Sequence, residues 1–408
     1  MRSACVGEPF YKEHEGKRFC VLHFPCKEKS ADFEKAFLRK LEKKDFNFRG
    51  GWFPDRLSFS NRDFDGDVDF SFATFGKYAD FRSATFSVAD FRSATFSAAA
   101  DFTHSKFGEA NFGNATFSEL VSFNSATLGK LGKLAHFGDA AFGAEAIFYD
   151  AIFGAEANFY RATFSQRANF RKSTFRSANF GKVIFSAPAD FSDATFSATA
   201  DFKAATFSGP ADFINCTLSG KTVFSDVTFR DYVRFAGKES KPVFSDTSSL
   251  DLQFARIEKA DHLSFHTLSL RPHWFVNVDA RKFDFINVHW ENSGKAKPEI
   301  ALLKSKGVSS PHRLLAIACR HIAVNAEENH RYEDSRRLQL RERMRGNLFV
   351  AHWRVLKKTS AKLHWSLKRD WGVRGRTLTR SKRFIRVYGK SLNLLYWLYW
   401  GVSGHGEK

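Results

Sequence analysis

Phenylalanine recurs in this chain with a period that neither a helix nor an ordinary strand can use. Between positions 75 and 235 a large apolar residue stands at thirty places, 28 of them Phe and the other two Leu128 and Leu218. Seventeen of the gaps are five residues, eleven are six, and one, between Leu128 and Phe137, is nine. An amphipathic helix repeats every 3.6 residues and a half-buried strand every two, so both templates fail. A period near five suits a chain that turns a corner after each short extended piece and returns above itself after four pieces. Each piece aims one large side chain inward and, two residues earlier, one small one: Ala79 with Phe81, Ala84 with Phe86, Ala89 with Phe91. The residue just before the Phe is usually Asp, Asn or Thr, as at Asp80, Thr85, Asp90, Asn111 and Asn169. Such side chains hydrogen-bond nearby turn backbone.

Written out, 79–97 reads ADFRSATFSVADFRSATFS, which resembles the pentapeptide-repeat proteins, with Phe where their A(D/N)Lxx unit more often has Leu. The resemblance implies a mainly β chain: a right-handed quadrilateral β-helix with four faces per coil. The gaps support that count, giving 21 residues per turn around 75–123 and 22 around 191–235. Thirty positions on four faces make about 7.5 coils and a rod of about 36 Å at a layer spacing of roughly 4.8 Å. Approximate repeats at Phe46, Phe53, Phe59, Phe64 and Phe70, and at Phe244, Phe254, Phe265, Phe275 and Phe285, extend the solenoid to 45–290. Phe81, Phe86, Phe91, Phe96, Phe102, Phe107, Phe159, Phe164, Phe170, Phe191, Phe196 and Phe202 are then architectural, and Cys216 fills a small inward position. The nine-residue gap, LGKLGKLAH, reads as a loop leaving one corner; in some family members such a loop is what a partner touches.

The ends differ from the middle. Residues 1–44 hold Cys5, His14, Cys20 and His23, with Cys26 as a spare ligand, and then KEKSADFEKAFLRKLEKK, an amphipathic helix with Phe33, Phe37, Leu38 and Leu41 as its apolar residues, expected to cap the open end of the solenoid. Two readings of the Cys/His set stand side by side: a small structural zinc knuckle, or free cysteines on a capping segment. RFCVLHFP, the Lys-rich helix and Asp45–Gly50 are similar to a subgroup of the family; that likeness strengthens the zinc reading, and free cysteines on a capping segment stay the leading one. Residues 291–311 read as a linker, 312–345 as a helix with Glu327, Glu328, Arg336 and Arg337 on a solvated face, and 346–408 as a basic, aromatic helical tail.

Charge sharpens the contrast. The net charge of +19 divides into +3 for 1–65, −1 for 66–236 and +17 for 237–408. Residues 343–390 carry 15 Lys/Arg against the single acid Asp370. Arg343, Arg345, Arg354, Lys357, Lys358, Lys368, Arg369, Arg374, Arg376, Arg380, Lys382, Arg383 and Arg386 are the candidate contacts to lipid headgroups or to phosphates, with Trp397 and Trp400 as interfacial aromatics. In the similar subgroup this region leads into transmembrane helices, whereas here the sequence stops at Lys408, so interfacial attachment is expected.

Five cysteines are too few and too scattered for a disulfide framework, which points to a reducing, cytoplasmic setting, peripheral at the inner face of a membrane. No signal peptide or spanning run is visible, and 48 Phe exclude general disorder. No catalytic signature survives: the one Gly220-Lys221-Thr222 has Asn215 where a phosphate-binding loop needs Gly. The expected function is a non-enzymatic scaffold whose partner is an anionic membrane surface or a protein, with nucleic acid as the alternative and no small-molecule substrate. Family members that mimic DNA need an acidic rod, and the near-neutral middle argues against that reading.

Overall fold

The structure, a computed structural model, describes residues 9–129, 132–238, 243–291, 296–305 and 307–331. The chain enters through an antiparallel hairpin, β1 (Phe10–His14) and β2 (Lys17–Cys20), followed by helix α1 (Ser30–Glu42). From Trp52 to Trp290 it winds as a solenoid of short parallel strands, stacked in three large sheets of ten, eleven and thirteen. Successive rungs pair residue for residue, Thr95 with Thr74 and with Thr116, and Ala189 with Ala211. The thirteen-stranded sheet serves two faces, because strands such as Thr85–Asp90 and Thr174–Asn179 run through one corner without leaving the ladder.

Phenylalanine fills the interior in columns. Phe59, Phe81, Phe102, Phe123, Phe148, Phe170, Phe191, Phe213, Phe235, Phe265 and Phe285 form one of them, with neighbouring ring centroids 4.8–5.4 Å apart and planes within 18° of parallel. That column has eleven rungs, so the approximate repeats flanking the regular segment complete full coils of their own. The twelve Phe singled out as architectural are all at most 2% exposed, and Ala79, Ala84 and Ala89 are at most 1%.

Corner chemistry follows the residue before the inward Phe. The Asp80 carboxylate accepts the backbone N–H of Arg82, and Asn111, Asn169 and Asp190 do the same for Gly113, Arg171 and Ser192. The turn closes when Ala84 N–H donates to the Phe81 carbonyl at 3.1 Å, which places Ser83 at φ +55°. Two corners per coil repeat this left-handed residue, and between 83 and 226 none of those positions is Gly: Asn114, Arg161, Lys182 and Ala204 are examples. A left-handed L-residue costs roughly 1–2 kcal/mol, and glycine's looser unfolded chain takes back roughly 0.5–1. Ala204→Gly is therefore expected to stabilise the protein by about 0.5–1 kcal/mol in denaturant titration, where the same change inside a strand would destabilise it.

Four sequence expectations change. Phe254 is not an inward residue: it stands at a left-handed corner, φ +60° and 62% exposed, and Leu252 takes the inward place at 0%. Spacing alone admits both, since they are two residues apart. In α1, Phe33, Ala36, Phe37 and Lys40 form the buried stripe, which turns Leu38 outward at 47% exposed. The expected linker 291–311 contains a helix, α2 (Ala296–Ser305), anchored by buried Ile300 and Leu303. The next helix, α3 (Pro311–Glu328), ends well before 345, because Asn329 leaves the helical conformation and His330 is left-handed at φ +55°. The part of 312–345 after Arg331 lies outside the described residues, as do Arg336 and Arg337.

Both ends of the rod are covered. At the first coil Phe37 packs on Phe48, Phe53 and Phe59 with centroids 5.3–6.2 Å apart. At the last, α3 buries Leu315, Ala318, Cys319, Ile322 and Ala326. Its Asn325 amide donates to the carbonyls of Ala280, Arg281 and Phe283 at 3.3, 2.8 and 2.6 Å, and the Arg331 guanidinium donates to that of Phe285 and to Asn325 Oδ1. These contacts satisfy main-chain acceptors at the end of the coil, where no further rung follows.

Candidate functional site: the N-terminal cap and the solenoid surface

Among the described residues the Cys/His segment brings Cys20 and His23 together. His23 Nε2 donates to the Arg49 carbonyl at 2.8 Å, so its Nδ1 is the acceptor for the Cys20 thiol, 3.0 Å away. His14 packs instead against the edge of the Phe24 ring, 6.0 Å between centroids, and the Cys26 thiol meets the Glu28 carboxylate. Cys5 lies outside the described residues. Among the described residues no group of three or more His, Cys, Asp or Glu is placed to hold a metal. Among the described residues, Cys20 and His23 are the two members of the candidate zinc set that come together.

Beside that pair sits a residue that the sequence reading passed over. Lys29, at 1% exposed, donates to the carbonyls of Val21 and Leu22 at 2.6 and 3.1 Å, and its ammonium lies 4.9 Å from the Phe33 ring and 5.4 Å from that of Trp52. Burial pushes the amine from the ordinary 10.5 down to about 7. The folded state then binds fewer protons than the unfolded chain between those values, so stability rises with pH across that window and is lowest below it. Denaturant titrations from about pH 6.5 to about pH 9.5 are expected to show wild type gaining on Lys29→Met by a few kcal/mol, at roughly 1.4 kcal/mol per unit. Parallel curves for the two proteins would contradict a depressed Lys29.

A groove of about 580 Å³ opens between the hairpin and α1, lined by Phe10, Tyr11, Val21 and Leu38 with Lys35 and Glu42 at its sides. No sequence pattern marks it, because it forms where two elements meet.

Along the coils many surface charges are paired. Arg82 holds Asp80, Arg92 holds Asp90 and Arg234 holds Asp212 at 2.6–2.8 Å, while Arg161 reaches Asp139 at 3.1 Å and Arg171 reaches Asp193 at 3.4 Å. The Arg82 guanidinium holds the Asp80 carboxyl below the usual range. Gly220-Lys221-Thr222 is a corner leading into the strand Lys221–Val223, and a Cβ on Gly220 would stand 1.8 Å from the Ala198 carbonyl oxygen. Glycine is required there by the close approach of the coil below, not by a phosphate. The nine-residue gap leaves the corner through Gly129 and Gly132, at φ +78° and +87°, before Leu134–His136 rejoins the ladder. The basic residues from Arg343 to Arg386, with Trp397 and Trp400, lie outside the described residues.

A core filled by Phe and Ala under a charge-paired surface defines a structural repeat, a four-sided parallel β-solenoid that presents surface. The coils are built of pentapeptide repeats: the family model described as pentapeptide repeats, nine copies, matches residues 81–127, 148–195, 159–206 and 202–237. The coils continue on both sides of the matched residues, through Phe53 and Phe59 before them and Phe265 and Phe285 after. No curated protein and no solved structure matches the chain.

Proposed function

We propose that the chain is a non-enzymatic scaffold, held at an anionic membrane surface by its basic, aromatic C-terminal region while the solenoid presents a surface to a protein partner. The observation that carries this reading is the separation of charge: −1 over 66–236 against +17 over 237–408, with 15 cations and one acid in 343–390. Each Lys or Arg near an anionic surface contributes about 1 kcal/mol, so a run of this size attaches a rod whose own charges are spent on one another. Among the described residues no helix is long and apolar enough to cross a membrane.

Flotation of the full-length protein with vesicles of phosphatidylcholine alone, or with about 30 mol% phosphatidylserine, tests it. Recovery with the anionic vesicles only, lost when the cations of 343–390 are changed to Gln, is the expected result. Equal recovery from both vesicles contradicts it. Failure to float, together with duplex-DNA affinity that falls steeply with salt, would move the function to nucleic acid.

A further inference from the structure

The outer face of α3 does not look like that of a helix whose only task is to cap. Its inner stripe, Leu315, Ala318, Cys319, Ile322 and Ala326, is buried on the last coil. The opposite stripe, at i, i+4, i+7 and i+11, is Arg313, Ile317, Arg320 and Val324, so two guanidinium groups flank an isoleucine that is 39% exposed. Neither Arg313 nor Arg320 has an ion pair or hydrogen bond among the described residues, in contrast to Arg82 and Arg234 of the coils. From Ile300 to Ala326 the chain holds four Lys/Arg and no Asp or Glu, and α2 adds Leu302 at 38% exposed and an exposed Lys304.

We propose that this face of α3 docks onto anionic lipid, with Arg313 and Arg320 bonding headgroup phosphates and Ile317 entering the interface between them. Unpaired guanidinium groups recognise phosphate oxygens in bidentate fashion, and an apolar residue between cations is the pattern of a helix lying in the headgroup layer. Complementary charge selects this occupant: Arg313 and Arg320 are unpaired cations on either side of Ile317, and the acids of the helix, Glu327 and Glu328, stand in its last turn beyond Val324. The inference rests on the membrane reading above and adds a second, structured contact to it.

The test uses the full-length protein with its basic C-terminal region intact, so its failure and that of the membrane reading are separable. Partition into vesicles with about 30 mol% phosphatidylserine is expected to fall about tenfold for Arg313→Gln/Arg320→Gln. Ile317→Ser should lower it about fivefold, and Arg313→Lys/Arg320→Lys should retain most of the binding. Thermal melts of the variants should overlay wild type, because the changed side chains face away from the coil. Wild-type binding that both the Gln pair and Ile317→Ser leave unchanged overturns the α3 contact and leaves the membrane reading standing. Loss of duplex-DNA binding in the Gln pair with lipid partition unaltered overturns it in favour of nucleic acid.

Discussion

Phe148→Ala is expected to destabilise the protein by about 3–5 kcal/mol, the range for emptying a buried aromatic site. Phe148 lies mid-column, 0% exposed, with parallel rings below and above it at 5.0 and 4.8 Å, Phe123 and Phe170. It also makes edge contacts to Phe137, Phe142 and Phe159 at 5.5–5.9 Å. Truncation thus removes the side-chain transfer term and leaves a void that stacked coils, fixed by main-chain ladders above and below, cannot collapse into. Phe148→Leu should cost roughly 1.5 kcal/mol or less, since Leu128 and Leu218 already occupy such positions at 0% exposed. Denaturant midpoints of the two variants measure the difference, and equal costs would mean that the columns are not close-packed.

Asn325→Leu should be the most damaging change outside the columns, at roughly 3 kcal/mol. The leucine keeps the same branched heavy-atom skeleton, yet it leaves the carbonyls of Ala280, Arg281 and Phe283 without the donor they share, and Arg331 without the Asn325 Oδ1 acceptor. A buried acceptor stripped of its partner costs about 1–3 kcal/mol. Solenoids behave as stacks of neighbouring units, so the damage should start at the end and spread inward. Hydrogen exchange is expected to quicken first in the rungs around Phe265 and Phe285 while those around Phe148 stay protected. Uniform loss of protection along the rod would contradict a local capping role.

How legible these features were depends on where their partners lie. The Phe ladder and the small Ala two residues before it are one periodic signal, so Phe81 and Ala79 could be placed inside from spacing alone. Asp80 and Asn111 were readable as turn residues because the N–H they accept from is two residues on. Phe254 was misplaced because Leu252, two residues earlier, satisfies the same approximate spacing and only the corner conformation separates them. Asn325 carries no signature at all, because its acceptors are main-chain atoms 42–45 residues earlier. The Cys20–His23 pair was half legible: their spacing put them on one turn, but nothing local could show that His14 packs on Phe24 and Cys26 turns to Glu28. Lys29 looked like one more residue of a Lys-rich stretch, and its burial is created by Val21, Leu22, Phe33 and Trp52.

The pairing of Arg82, Arg92 and Arg234 with aspartates has a functional consequence. A rod of near-zero net charge attracts neither headgroups nor phosphates strongly, and the proposed function therefore assigns electrostatic attachment to the segments where cations outnumber acids. That division between presenting and holding is the claim on which the functional account stands.

Fractionation of cells that naturally express the full-length protein, with high-salt and carbonate washes of the membrane pellet, tests it most directly. The account predicts recovery in the pellet at low salt and release by either wash, as for a protein held by charge at the surface. Recovery in the soluble fraction at low salt, with none in the pellet, would contradict it.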